Sequence, residues 1–156
     1  MQRTTLAALA AAATLFLAAC APMGSGRQDA TAQQEANRRA VLAFYEKGLN
    51  QKDADAALQY VGNRYVQHNP TAADGPEGFR KFIAFLREKF PNSRSEIKRS
   101  FVDGDYVILH VNAIREPGTR GSAIVDIFKL ENGKIVEHWD VVQPVPETAA
   151  NKNGMF

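Results

Sequence analysis

The spacing of apolar residues changes at Pro91, and that change limits what the chain can fold into. Before it, Val41, Leu42, Phe44, Tyr45 and Leu49 recur at helical spacings, and so do Phe79, Phe82, Ile83, Phe85 and Leu86. Each set lays an apolar stripe along one side of a helix. After it the period is two: Ser95 to Val102, Tyr106 to Arg115, Ser122 to Leu130 and Ile135 to Val142 read as four strands. Asp103-Gly104-Asp105, Pro117-Gly118-Thr119 and Glu131-Asn132-Gly133 separate them with turn chemistry. Asp53 suits the N-cap of a short helix through Tyr60, and Pro76 suits the first position of a helix ending before Pro91. Asn63 to Pro70, between those helices, reads as irregular. Helices first and a meander afterwards predict an α+β domain, with helices packed on one face of a curved antiparallel sheet.

A chain of 156 residues suits one such domain. Its beginning follows another logic. Arg3 precedes Leu6 to Ala19, an almost unbroken apolar run that is short of the ~20 residues a membrane span needs. The run suits a signal peptide. It ends Leu17-Ala18-Ala19-Cys20, which resembles the lipobox of bacterial lipoproteins, and Cys20 is the one cysteine in the chain. Residues 1–20 are therefore expected to be a signal peptide, with Cys20 lipidated as an anchor on the exported side of a bacterial membrane, periplasmic or cell-surface. Residues 21–30 (APMGSGRQDA) read as a flexible tether, and 31–156 as the domain with a C-terminal tail. A net charge of +2 without basic runs gives no footprint for nucleic acid.

The strands carry polar residues where a plain core would not. His110 and Asn112 share a strand face with Ile108 and Ile114, and Asp126 shares one with Ile124 and Phe128. Such mixed faces resemble the wall of a pocket, where an apolar lining carries a few directed polar groups. An aspartate so flanked is partly desolvated, which raises its pKa and prepares it for proton transfer. Its partner depends on the last hairpin. A two-residue Asn132-Gly133 turn places Asp126 opposite Trp139. A three-residue loop from Glu131 to Gly133 places it opposite His138. The three-residue loop is the expectation adopted, because it gathers Asp126, His138 and Asp140 on one face and leaves Glu137 and Trp139 on the other. An Asp–His pair suits general acid–base chemistry. The sequence holds no nucleophile motif, no phosphate loop and no closely spaced histidine pair, so no metal and no cofactor are expected.

The segments YVQHNP, Asp74-Gly75, VDIFKLENGKIVEHWDVVQPVPE and the tail NKNGMF resemble the SnoaL-like polyketide cyclase family. More narrowly, they resemble its aldol-condensation-catalysing subgroup, over about Ala36 to Phe156. The resemblance implies the NTF2-like fold, a cone of helices and curved sheet around a pocket. It also implies metal-free aldol chemistry with an aspartate as general acid/base. Asp126 best matches that position and Asp140 is second, while His68, Asn69, His110 and His138 match the subgroup's polar motifs. Tyr65, Asn69, Ile108, Asn112, Ile124 and Phe128 are the expected substrate-lining positions. Polyketide cyclases work beside their synthases in the cytoplasm, whereas this chain carries an export signal, so the substrate stays open beyond a small apolar molecule. Three functions remain in view: an enzyme, a non-catalytic small-ligand binder, and a homodimer formed through the open sheet face around Trp139.

Overall fold

The computed structural model describes the backbone from Ser25 to Phe156 and side chains from Thr31 onward. The expected signal peptide, Cys20 and the first part of the tether lie outside the described residues. Helix α1 (Ser25–Tyr45) runs into a π-helical turn (Glu46–Asn50), and α2 (Ala54–Leu58) follows. Asp53 caps α2 as expected, its side chain accepting the Ala56 N–H at 2.9 Å. Strand β1 (Val61–Gln67) comes next, then α3 (Gly75–Lys89) with proline in its first turn. The remaining strands are β2 (Arg94–Asp103), β3 (Tyr106–Ile114), β4 (Ser122–Glu131) and β5 (Lys134–Pro144). Among the described residues, no helix is long and apolar enough to cross a membrane.

The sheet order is β1-β5-β4-β3-β2. Its last four strands form the expected antiparallel meander, but the sheet is mixed because β1 pairs parallel to β5. The segment expected to be irregular is thus largely a fifth strand. A parallel edge strand has no hairpin turn to announce it, and Asn63 and Arg64 face solvent. The helices cover one face of the sheet. Phe44 of α1 lies at the centre, its ring 4.9 Å from Phe79, 5.8 Å from Phe128 and 6.2 Å from Tyr65. Losing that side chain would cost ~3–5 kcal/mol. On α3, Phe79, Ile83 and Leu86 are buried as the stripe implied, while Phe85 turns to solvent and packs on Phe90.

Glycine lets the π turn and α3 come together. A Cβ on Gly48 would stand 2.7 Å from Phe79 Cζ. The widened π turn is then pinned to β2 by Asn50, whose side chain donates to the Ser95 carbonyl and accepts the Ser95 N–H. Lys52 adds a donor to the Ser93 carbonyl at 2.8 Å. This clamp fixes Tyr45, the last residue of α1, against the sheet.

The β4–β5 hairpin corrects the expected register. Glu131 pairs with Lys134, so the turn has two residues, Asn132 (φ 51) and Gly133 (φ 73), as in a type I′ turn. Taken alone, that turn would put His138 and Asp140 on the face opposite Asp126. A β-bulge intervenes: Leu130 pairs with Ile135 but Lys129 pairs with Glu137, leaving Val136 as the extra residue. The bulge restores the facing. Asp126 lies opposite Asp140, Phe128 opposite His138, and His138 sits diagonally from Asp126 rather than directly across.

Candidate active site

A cavity of about 500 Å³ opens between the helices and the sheet, within the range of small-molecule sites. Phe44, Phe79, Phe82 and Phe128 supply aromatic walls, and Asn69 to Ala73, the loop after β1, supplies part of the rim. Four elements deliver the polar groups around Asp126. Strand β4 brings Asp126, β5 brings His138 and Asp140, β1 brings Tyr65 and Gln67, and α1 brings Tyr45.

Asp126 and His138 are 4% and 7% exposed, and His138 Nε2 lies 3.0 Å from Asp126 Oδ1. The Tyr45 hydroxyl donates to Asp126 Oδ2 at 3.0 Å. On the far side of the ring, His138 Nδ1 is 2.9 Å from Gln67 Oε1. That oxygen also accepts the Asn69 backbone N–H, which fixes the amide's orientation, so Nδ1 must be the donor to it. One proton then serves Nε2 and Oδ1 together, as a neutral acid facing a neutral ring or a carboxylate facing an imidazolium. Either way the pair has no net charge.

Burial lifts the pKa of Asp126 above the usual carboxyl value, against the opposing pull of His138 and Tyr45. Burial, and then the neighbouring Asp126 charge, hold the Tyr45 and Tyr65 phenols well above their ordinary range, so both stay protonated as donors. Asp140 is held by Asn69, whose Nδ2 lies 2.8 and 2.7 Å from its two carboxyl oxygens. Asp126, His138 and Asp140 bring ligand atoms within 4.8 Å of one another, close enough for a metal ion. A cation there would have to displace the bonds just described, because both ring nitrogens already have partners.

Of the residues picked out in the sequence, Asp126, His138, Asp140, Tyr65, Asn69, Ile124 and Phe128 line this cavity. The others do not. His68 lies on the outer side of the sheet, stacked on Trp139 at 4.5 Å and bonded to Glu137 at 2.9 Å. His110 also faces outward, with Nδ1 2.7 Å from Arg99 and its ring stacked on Phe156 of the C-terminal tail at 5.4 Å. Ile108 and Asn112 share that outer face, since it is Val107, Leu109, Val111 and Ala113 that turn inward. The mixed face of β3 marks a half-covered outer surface and not a pocket wall.

Tyr45, Gln67 and Arg115 were not singled out in the sequence. Tyr45 lies within an apolar stripe, where a hydroxyl signals a buried partner across the core. Gln67 follows Tyr65 at strand spacing, a clue available only once the segment is known to be a strand.

A SnoaL-like domain model matches residues 41–138, more than half of the chain. No curated protein sequence matches it. Among solved structures, TsrD from Streptomyces laurentii superposes with a TM-score of 0.59 at 19% identity, over 70% of this chain and 89% of that one. An NTF2-like protein of unknown function from Cytophaga hutchinsonii gives 0.58 at 19% identity, over 69% and 90%. IdmH from Streptomyces antibioticus, described as a candidate polyketide cyclase, gives 0.57 at 20% identity, over 68% and 91%. At such identities these likenesses speak for the fold: the α+β cone is NTF2-like. The domain match carries the affiliation, and the chain belongs to the SnoaL-like domain family.

Proposed function

We propose that the domain is an enzyme that removes a proton α to a carbonyl of a small, largely apolar substrate, in an aldol-type cyclisation or an isomerisation. The observation that carries this reading is the buried Asp126–His138 pair at the wall of an otherwise aromatic and aliphatic cavity. Both nitrogens of His138 are occupied, whereas each Asp126 oxygen keeps a lone pair beyond its one hydrogen-bond partner among the described residues. Asp126 is therefore the base, and His138 and Tyr45 hold it. In the step, the substrate C–H breaks, its proton passes to Asp126, and the electron pair moves onto the carbonyl oxygen as an enolate. The pair, neutral before, now carries one positive charge beside the new anion, which stabilises it. In an aldol closure the enolate carbon then bonds to a second carbonyl carbon, and the resulting alkoxide takes the proton back from Asp126.

The test is deuterium uptake from D₂O at the α-carbons of 2-tetralone, followed by NMR. The wild-type chain accelerates uptake, and Asp126→Asn lowers the rate by ~10²–10⁴-fold while 2-tetralone binding survives. Unchanged uptake in Asp126→Asn would remove Asp126 as the base. Uptake absent from the wild type, with 2-tetralone bound, would favour a non-catalytic binder.

By the same reading, the domain works on the exported side of a bacterial membrane, held by a lipid on Cys20. Radiolabelled palmitate should enter the wild type and not Cys20→Ser. The outer sheet face exposes Phe101, Val125 and Val141, the last at 71%, and this favours a homodimer through that face. Val141→Glu should then run as a monomer in gel filtration where the wild type runs as a dimer.

A further inference from the structure

Arg115 follows the last residue of β3 and stands at the cavity rim, with its guanidinium 5.4 Å above the ring of Phe82, another lining residue. Five other described arginines, Arg38, Arg39, Arg64, Arg80 and Arg94, each pair with a carboxylate, while Arg87 and Arg99 bond to a carbonyl and to His110. Arg115 pairs with none, and no hydrogen bond within the described residues uses its planar fork of donors. It is exposed on its solvent side. Against the cavity wall it is crowded enough that burial pulls its pKa below the usual arginine value. It is also the one lysine or arginine on the cavity lining, where the other fixed ionisable groups of opposite sign are Asp126 and Asp140.

We propose that Arg115 is the specificity determinant of this site, receiving a carboxylate on the substrate, so that the substrate class is a small apolar keto acid. The inference rests on the reading of the cavity as a substrate site. Its geometry gives the molecule one orientation. A carboxylate is disfavoured beside the Asp140 carboxyl on β5 and meets a free guanidinium fork at the rim, where two parallel N–H···O bonds can form. The apolar, carbonyl-bearing part is then directed inward among Phe44, Phe79 and Phe128, toward Asp126. The Phe82 ring face supports the guanidinium without consuming its donors.

The test uses the full 156-residue chain and two probes of nearly equal shape, 2-naphthoate and 2-naphthamide, in calorimetric titration. The wild type should prefer naphthoate by about tenfold or more, the scale of a charge-assisted hydrogen-bond pair. Arg115→Gln should lose that preference, with naphthoate affinity falling far more than naphthamide affinity. Arg115→Lys, which keeps the charge without the fork, should retain part of it. Equal affinities in the wild type, no binding of naphthoate, a preference that survives in Arg115→Gln, or an equal loss of both probes in that variant overturns the proposal. Asp126→Asn should keep the naphthoate preference while losing deuterium exchange. A failure of the acid–base reading and a failure of the Arg115 reading therefore show up in different variants.

Discussion

Tyr45→Phe isolates one hydrogen bond in the centre of the site. The ring stays where it is, edge-on to Phe128 at 6.4 Å and 90°, and the variant loses only the hydroxyl that donates to Asp126 Oδ2 at 3.0 Å. Hydrogen bonds to charged groups contribute ~1.5–3 kcal/mol. Because Asp126 shares its proton with His138 and carries only part of a charge, the lower end applies, about 1.5–2 kcal/mol. The phenol favours the ionised carboxyl, so its removal pushes the pKa of Asp126 further up. The titration should therefore move up. Carbon NMR of the chain labelled at aspartate carboxyl carbons reads that shift without any substrate. The melting temperature should fall by ~4–8 °C in the same variant. A titration that stays in place or moves down would refute the claim that Tyr45 holds the carboxylate.

Three further outcomes follow from the same geometry. Asp126 binds its proton more tightly in the folded chain than in the unfolded one, because burial outweighs His138 and Tyr45. Its contribution to stability is thus present below the ordinary value of 3.8 and lost as pH rises through the raised folded pKa. Asn lacks that loss, so as pH rises from 3.8 the wild type should lose melting temperature relative to Asp126→Asn; a gap moving the other way contradicts the assignment. Gly48→Ala drives a methyl against Phe79 and should destabilise the fold by ~1–3 kcal/mol in denaturant titrations, with an unchanged midpoint refuting the tight contact between the π turn and α3. Deleting Val136 removes the bulge but keeps Phe128 opposite His138 and Asp126 opposite Asp140, so deuterium exchange should persist in a chain that still melts cooperatively. Exchange that is lost would show that the site needs the bulge itself and not only this pairing.

The helices, the meander and the inward placement of Asp126 were legible because burial on one side of an element imposes a period on its residues. What failed was information that period does not carry. Alternation separates the two faces of β3 but does not say which is inside: His110 and Asn112 looked like pocket residues, yet Val107, Leu109 and Val111 take the helices. The outer face tolerates polar groups because the C-terminal tail and solvent share it, with Phe156 stacked on His110. The hairpin shows two departures that offset each other. Asn132-Gly133 forms the shorter turn, and the extra residue enters one step later, where Ile135 and Val136 are adjacent and both buried. Two neighbouring buried residues break strict alternation, and that pair was the available sign of the bulge. Strand β1 went unread because its partner is distant in sequence and parallel, and with it went Gln67, which sets the tautomer of His138.

The central claim is that Asp126 and His138 hold a single proton between them inside the cavity, with the ring oriented by Gln67. Nitrogen NMR of the histidine ring measures this most directly. At neutral pH, His138 should show a protonated Nδ1 and an Nε2 resonance shifted by the proton it shares with Asp126. In Asp126→Asn that Nε2 signal should move to the position of an ordinary neutral ring. A bare Nδ1, or an Nε2 resonance that is the same in both proteins, would contradict the account.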